Sequence, residues 1–295
     1  MAANTRDIRR RIKSVKNTSQ ITKAMQMVAA AKMRKAQQLA LSGRPYAELL
    51  AKMLRSVAAG AEEGAHELLG TRPVKKELVL VISTDKGLCG ALNTNLLREV
   101  GKFDSEQTIF VACGRKGSQY LARTNRKIAA EFQLRDAPTF LETKAVSKFC
   151  MEKFTSGEVD RVTVLFTDFI NTLTQTPRAK LLLPITSLEV NVGLGGSVES
   201  TTIKAETGET TEYSFEPNSN EVLAAVLPYH VYFQVYQMVL DCRASEHSAR
   251  MVAMKSATDN AKTLIKDLTL EYNKVRQAAI TTELLEITTA QMALG

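Results

Sequence analysis

YHVYFQVYQMVLDCRASEHSARMVAMKSATDNAKTLIKDLTLEYNKVRQAAITTELLEITTAQM, residues Tyr229–Met292, contains neither proline nor glycine. It is rich in the residues that favour helix, and Pro228 stands just before it. Alternate steps of four and three pick out Phe233, Leu240, Ala244, Met251, Met254, Ala261, Ile265, Leu268, Tyr272, Val275 and Ala279. Gln237, His247 and Thr258 are polar interruptions of the same seam, and this spacing is that of a coiled coil. At 1.5 Å per residue such a helix would span roughly 90 Å, several times a small domain. Its seam therefore needs a second long helix.

The opposite end of the chain supplies it. From Asp7 to about Val57 the sequence reads as helix, with an interruption or kink expected near Gly43 and Pro45. Ile8, Ile12, Val15, Ala29, Met33, Ala36 and Ala40 keep the four-three spacing. Between them Ala24–Ala31 is apolar nearly all round, the pattern of a helix buried on every side. Either this segment is a core helix, or another protein forms a narrow sleeve around it. The flanking cations favour the sleeve, because burying them unpaired would be costly.

The full chain of 295 residues has 39 basic and 31 acidic side chains, a net charge of +8. Ten of the basic residues lie between Arg6 and Lys35, opposed only by Asp7. A solvated face, nucleic acid, an anionic membrane or an acidic protein are the readings of such a run. No apolar run approaches the ~20 residues of a bilayer span, and the basic N-terminus lacks a signal-peptide core. A cytosol-like compartment is expected. Cys89, Cys113, Cys150 and Cys242 form no CxxC pair, as expected of reduced, buried thiols.

The middle of the chain changes period. Glu77–Ser83 is a short apolar run of the kind found in buried parallel strands, and strand-like runs recur at 108–112, 128–132, 162–166 and 179–183. Helices are expected near Asn93–Phe103, after Gly117, and over Pro138–Phe154. Alternating strands and helices predict an α/β unit with a mostly parallel sheet. A Gly-, Ser- and Thr-rich stretch follows, Asn191–Pro217, with a hairpin expected at Glu206–Glu209. Asn218–Glu221 reads as a capping box opening a short helix that ends before Pro228.

The expected architecture is a long antiparallel two-helix coiled coil of the N- and C-terminal helices with a central Rossmann-like α/β domain. Its parts are an N-terminal helix over 1–58, the α/β domain over 74–190, a loop, hairpin and short helix over 191–228, and a C-terminal helix over 229–295. Leaving two such seams in water would forfeit about 25 cal/mol for each Å2 of apolar surface.

Catalytic signals are thin. The turns Asp85–Gly90 and Gly114–Gly117 match neither GxGxxG nor GxxxxGK[ST], and Gly193–Gly196 opens no helix. There is no HExxH, Ser/His/Asp or Cys/His cluster, and only three histidines, His66, His230 and His247. An α/β enzyme using Cys89 as nucleophile beside a phosphate-binding turn remains one alternative. A coiled-coil nucleic-acid-binding protein is another, although the basic helix lacks stacking aromatics.

Several long motifs resemble the gamma subunit of F-type ATP synthase. Ile12–Thr18, Ile21–Met25 and Met27–Ala30 look like the family's N-terminal helix, and Asp85–Gly90 like its central turn. Ala244–Glu246, Ala249–Lys255 and Ala257–Asn260 are similar to its C-terminal helix, continued by Tyr272–Lys274, Arg276–Ala278, Ile280, Thr281, Glu283, Glu286 and Ile287. At the tip Thr289-Ala290-Gln291 replace a small Ser-Gly-Ala run, and the cysteine-bearing insertion of chloroplast members is missing.

The resemblance implies a non-catalytic rotor shaft, with no cofactor or metal and with catalysis on beta subunits. Its paired helices would stand in a ring of alpha and beta subunits, its foot on the epsilon subunit and the membrane c ring. Proton flow would turn the c ring, and the shaft would force the catalytic sites through different states in turn. By motif match Lys23, Met25, Arg250, Gln277, Thr281 and Glu283 would meet the ring. Tyr213 and Glu216 would meet the foot partners. No nucleic acid would be bound. Membrane association would come only through the complex, at the cytoplasmic face of a bacterial inner membrane or, alternatively, the matrix side of the mitochondrial one.

Overall fold

The computed structural model describes residues 5–59, 66–185 and 218–294. It divides into two units, Met1–Ala29 with Met251–Gly295, and Ala30–Arg250. The elements in order are α1 (Thr5–Ser42), α2 (Arg44–Ala59), a 3-10 turn (Glu67–Leu69), β1 (Glu77–Ile82), α3 (Leu92–Val100), β2 (Thr108–Cys113), α4 (Arg115–Arg123), β3 (Ile128–Phe132), α5 (Phe140–Thr155), β4 (Arg161–Phe169), β5 (Gln175–Leu183) and α6 (Ser219–Leu294).

In the first unit the two chain ends form the helix pair. Along α1, Ile8, Thr22 and Ala29 are buried, while Ile12, Val15, Ser19, Met25 and Gln26 are half-buried. The facing seam of α6 has Met254, Thr258 and Ala261 buried, followed by half-buried Ile265, Leu268, Tyr272 and Val275. The seam is thus continuous where the sequence showed only its ends, because Ser19, Thr22 and Gln26 occupy its middle positions. The hydroxyls of Thr22 and Thr258 lie 2.7 Å apart, and Thr258 donates to the Met254 carbonyl at 2.8 Å. Thr22 likewise donates to the Ser19 carbonyl at 3.1 Å, so each hydroxyl keeps an acceptor in its own helix and the pair adds a polar contact at one register of the seam.

Two expectations fail here. Ala279 does not continue the seam: every residue from Arg276 to Met292 is exposed. Ile8 stands as far before Thr22 as Tyr272 stands after Thr258, so beyond Val275 α6 has no partner helix among the described residues. Nor is Ala24–Ala31 enclosed within this chain, which overturns the core-helix reading and leaves that of a sleeve from another protein. Only one side meets α6, leaving Met27 59% and Val28 55% exposed.

The second unit contains a five-stranded sheet in the order β3-β2-β1-β4-β5. The β1–β2, β1–β4 and β2–β3 pairs are parallel, and β4–β5 is antiparallel. Alternation along β1 sends Val79 and Val81 to one face, with Leu96 and Val100 of α3 and Leu121 of α4. Leu78, Leu80 and Ile82 go to the other, with Val146 and Phe154 of α5 and Val231, Val235 and Val239 of α6. Cover on both faces is why β1 reads as an unbroken apolar run.

All residues from His230 to Ser248 except Tyr236 are buried. The helix segment enclosed on every side therefore lies in α6, not in α1. The helix end expected before Pro228 does not occur either. The side chain of Asn218 accepts from the Glu221 N–H at 2.8 Å and donates to the Glu221 carboxylate at 2.8 Å. From this cap one helix of 76 residues runs to Leu294 with Pro228 inside it. Proline removes one helix hydrogen bond, but buried Leu223, Leu227 and Val231 hold the backbone to the core on both sides. The interruption expected near Gly43 is present, between α1 and α2. A helix over Pro138–Phe154 is found slightly later, starting at Phe140 after a reciprocal Thr139–Glu142 capping box. Asn191–Pro217, with its expected hairpin, and the glycines at 60 and 64 lie outside the described residues.

Candidate functional site

The Asp85–Gly90 turn joins β1 to α3, with Leu88 at φ 62° and Gly90 at φ 61°. The turn is tied to β2–α4 on one side. Ser83 Oγ accepts from the Gly117 N–H at 2.8 Å and donates to the Gly114 carbonyl at 3.1 Å. Asp85 Oδ1 accepts from the Arg115 N–H at 3.0 Å, so the chain's own carboxylate occupies the α4 N-terminus, where the dipole favours an anion. This answers the possibility of a phosphate at Gly114–Gly117: that position is already filled.

On its other side the turn is held by α6. Arg243 reaches Asp85 Oδ2 at 3.4 Å, Glu246 Oε2 at 2.9 Å and the Leu134 carbonyl at 3.0 Å. Arg250 donates to Glu246 Oε1 at 2.7 Å and to the Gly87 carbonyl at 3.3 Å. Burial alone would weaken Arg243's hold on its proton; Glu246 and then Asp85 more than offset this, and its pKa is raised. The result is a chain Asp85–Arg243–Glu246–Arg250, buried at Arg243 and Glu246, that joins the turn to one face of α6.

The sequence alone did not show this cluster, in which Arg250, expected at the ring, also binds within the chain. Its side chain is only 11% exposed and its guanidinium donates to internal acceptors. The available signal was opposite charge at i,i+3 and i,i+4 inside a buried helix segment, Arg243–Glu246–Arg250.

The remaining expected contact residues separate. Lys23 is exposed and Met25 half-buried on α1. Gln277, Thr281 and Glu283 are exposed on the unpaired end of α6. Thr281 donates to the Gln277 carbonyl at 2.9 Å, so these two share a face. Glu283, two residues on, points about 200° away around the helix. Tyr213 and Glu216 lie outside the described residues.

Cys89 does not have the surroundings of a nucleophile. It is 2% exposed, and burial, more than any neighbour, raises its pKa. A reactive thiolate needs the opposite shift. Burial also pushes Cys113 and Cys150 up to about 12 and raises Cys242. No helix among the described residues is long and apolar enough to cross a membrane.

The exposed end of α6 is markedly apolar. Ile280, Leu284, Leu285, Ile287 and Met292 are 49%, 58%, 59%, 58% and 84% exposed. Exposed apolar side chains in such number mark a surface meant for other molecules.

Comparison with known proteins bears on that surface. The family model described as ATP synthase matches residues 4–294. The ATP synthase gamma chain of Opitutus terrae is 51% identical over 99% of each chain. That of Methylacidiphilum infernorum is 48% identical over 99% of this chain and all of its own. Among solved structures, one of the central stalk and c ring of Tetrahymena thermophila mitochondrial ATP synthase matches 80% of this chain and 99% of its own, at 25% identity and TM-score 0.60. A chain of the Euglena gracilis mitochondrial enzyme shares the fold at TM-score 0.68 and 20% identity, over 98% of this chain and 94% of its own.

Proposed function

Because the chain belongs to the ATP synthase gamma-chain family, and so is a central-stalk rotor subunit, we propose how it couples rotation to synthesis. Its own residues carry no step of the chemistry. The catalytic sites lie on beta subunits of a surrounding ring of alpha and beta chains, and the stalk acts by fitting the successive ring conformations unequally. Only such differential contact shifts an equilibrium among states.

One observation carries this reading: α6 outruns α1 and is exposed on all sides beyond Val275, with leucine, isoleucine and methionine among the exposed residues. An isolated apolar helix end is unfavourable in water, and a proteinaceous sleeve removes that cost. Lys23, Met25, Gln277, Thr281 and Glu283 are proposed to touch the ring, and Tyr213 and Glu216 the epsilon subunit and c ring. Arg250 is proposed to meet the ring as well, its guanidinium anchored by Glu246 and the Gly87 carbonyl. The ten cations between Arg6 and Lys35 would meet acidic ring loops, where charge sets register and encounter more than affinity. Association with the membrane is peripheral and runs through the c ring, at the cytoplasmic face of a bacterial inner membrane, a placement the bacterial relatives support.

The test is assembly. Tagged chain should co-purify with three alpha and three beta subunits, and a cysteine at Leu285 should cross-link to that ring with loss of ATP-driven proton pumping. ATP turnover by the purified chain alone would contradict the proposal, as would a steeply salt-dependent affinity for duplex DNA.

A further inference from the structure

Between α1, α6 and the loop before α5 lies a cavity of about 280 Å3, near the lower end of the range for small-ligand sites. Its walls include Leu39, Pro138 and Leu240, and its polar lining includes Lys32, Lys35, Asp136 and His247. Lys32 is ion-paired to Asp136 and Arg243, which also lines the cavity, to Glu246 and Asp85, so Lys35 is the cation in surplus.

The second observation is the imidazole. His247 is 3% exposed, and Arg250 Nη1 approaches its Nδ1 at 3.4 Å. A guanidinium only donates, so Nδ1 is the acceptor and the ring proton sits on Nε2. Burial, partly opposed by Glu246, lowers the His247 pKa, consistent with a neutral ring. No acceptor for Nε2–H is found among the described residues. A ring N–H open to an apolar cavity, beside a spare ammonium, is a recognition set for one negative charge on an apolar body.

We propose that this cavity binds a small organic monoanion, its charged end toward Lys35 and the Nε2–H of His247, its apolar body against Leu39, Pro138 and Leu240. The site stands apart from the stalk role and does not rest on it.

The experiment titrates 4-phenylbutyrate into the full-length chain by calorimetry, with 4-phenylbutan-1-ol as the uncharged counterpart. The acid is expected to bind about tenfold more tightly than the alcohol, and Lys35→Gln to weaken the acid about fivefold while leaving the alcohol unchanged. Lys35 is exposed, so its replacement does not endanger folding. The 1H–13C signal of His247, one of only three histidines, should move on adding the acid. Equal binding of acid and alcohol, no binding of the acid, an indifferent Lys35→Gln or an unmoved His247 signal would each overturn the proposal.

Discussion

Glu246 holds Arg243 at 2.9 Å with one carboxylate oxygen and Arg250 at 2.7 Å with the other. At 3% side-chain exposure it is the one acid both guanidinium groups share. Replacing it by glutamine keeps the shape but removes the charge between two buried cations. Breaking such a pair costs about 3–5 kcal/mol. Glu246→Gln should lower unfolding free energy by that order in a denaturant titration; a loss under about 1 kcal/mol would mean that water reaches the cluster.

Acid should weaken the fold through His230. Burial, with Lys180 nearby, lowers its pKa from 6.5 to about 4. An unfolded chain takes up the proton near pH 6.5, while the folded one resists until about 4. The contribution is complete above pH 6.5 and lost progressively as pH falls to about 4, a change on the order of 3 kcal/mol. His230→Phe should flatten the stability profile between pH 6.5 and 5, measured as unfolding free energy against pH.

Gly114 has φ 109°, and a Cβ there would press into the Ser83 carbonyl, with Ser83 Oγ only 2.9 Å away. Gly114→Ala combines backbone strain with a contact that β1 cannot relieve without shifting. A loss of about 2–4 kcal/mol is expected, read from the shift of the unfolding midpoint.

Met25→Lys places a further cation beside the basic run of α1, on a half-buried side chain at the seam. Coupling should fall while assembly is largely kept. Proton pumping per ATP hydrolysed, measured in membrane vesicles, would decide it; a normal ratio would remove Met25 from the contact surface.

Truncating the chain after Thr288 should be mild, because the tip residues have no partner helix among the described residues and diverge from the family's small-residue run. Truncation after Tyr272 should be severe, since it removes the whole exposed apolar end. Comparing the yield of assembled ring complex for the two would separate a loose tip from a required one.

Much of the fold was legible in residue order alone. A seven-residue period in Ile8–Ala40 and in Met254–Val275, and apolar runs at Glu77, Thr108 and Val162, are properties of single helices and strands. They are written locally because side-chain direction repeats with backbone geometry. The family resemblance likewise lay in consecutive residues. Where the seam stops, why Pro228 is carried inside α6, and what Arg250 does were not legible, because each depends on a second segment far away in sequence. The end of the seam is set by where α1 runs out opposite α6. Pro228 survives because the core holds the helix on both sides, and Arg250 is held by Glu246 and by the Gly87 carbonyl, which is far away in sequence. Periodicity states which face of an element must be covered; only packing says by what, because burial and charge pairing are energies of contact between elements rather than properties of either one.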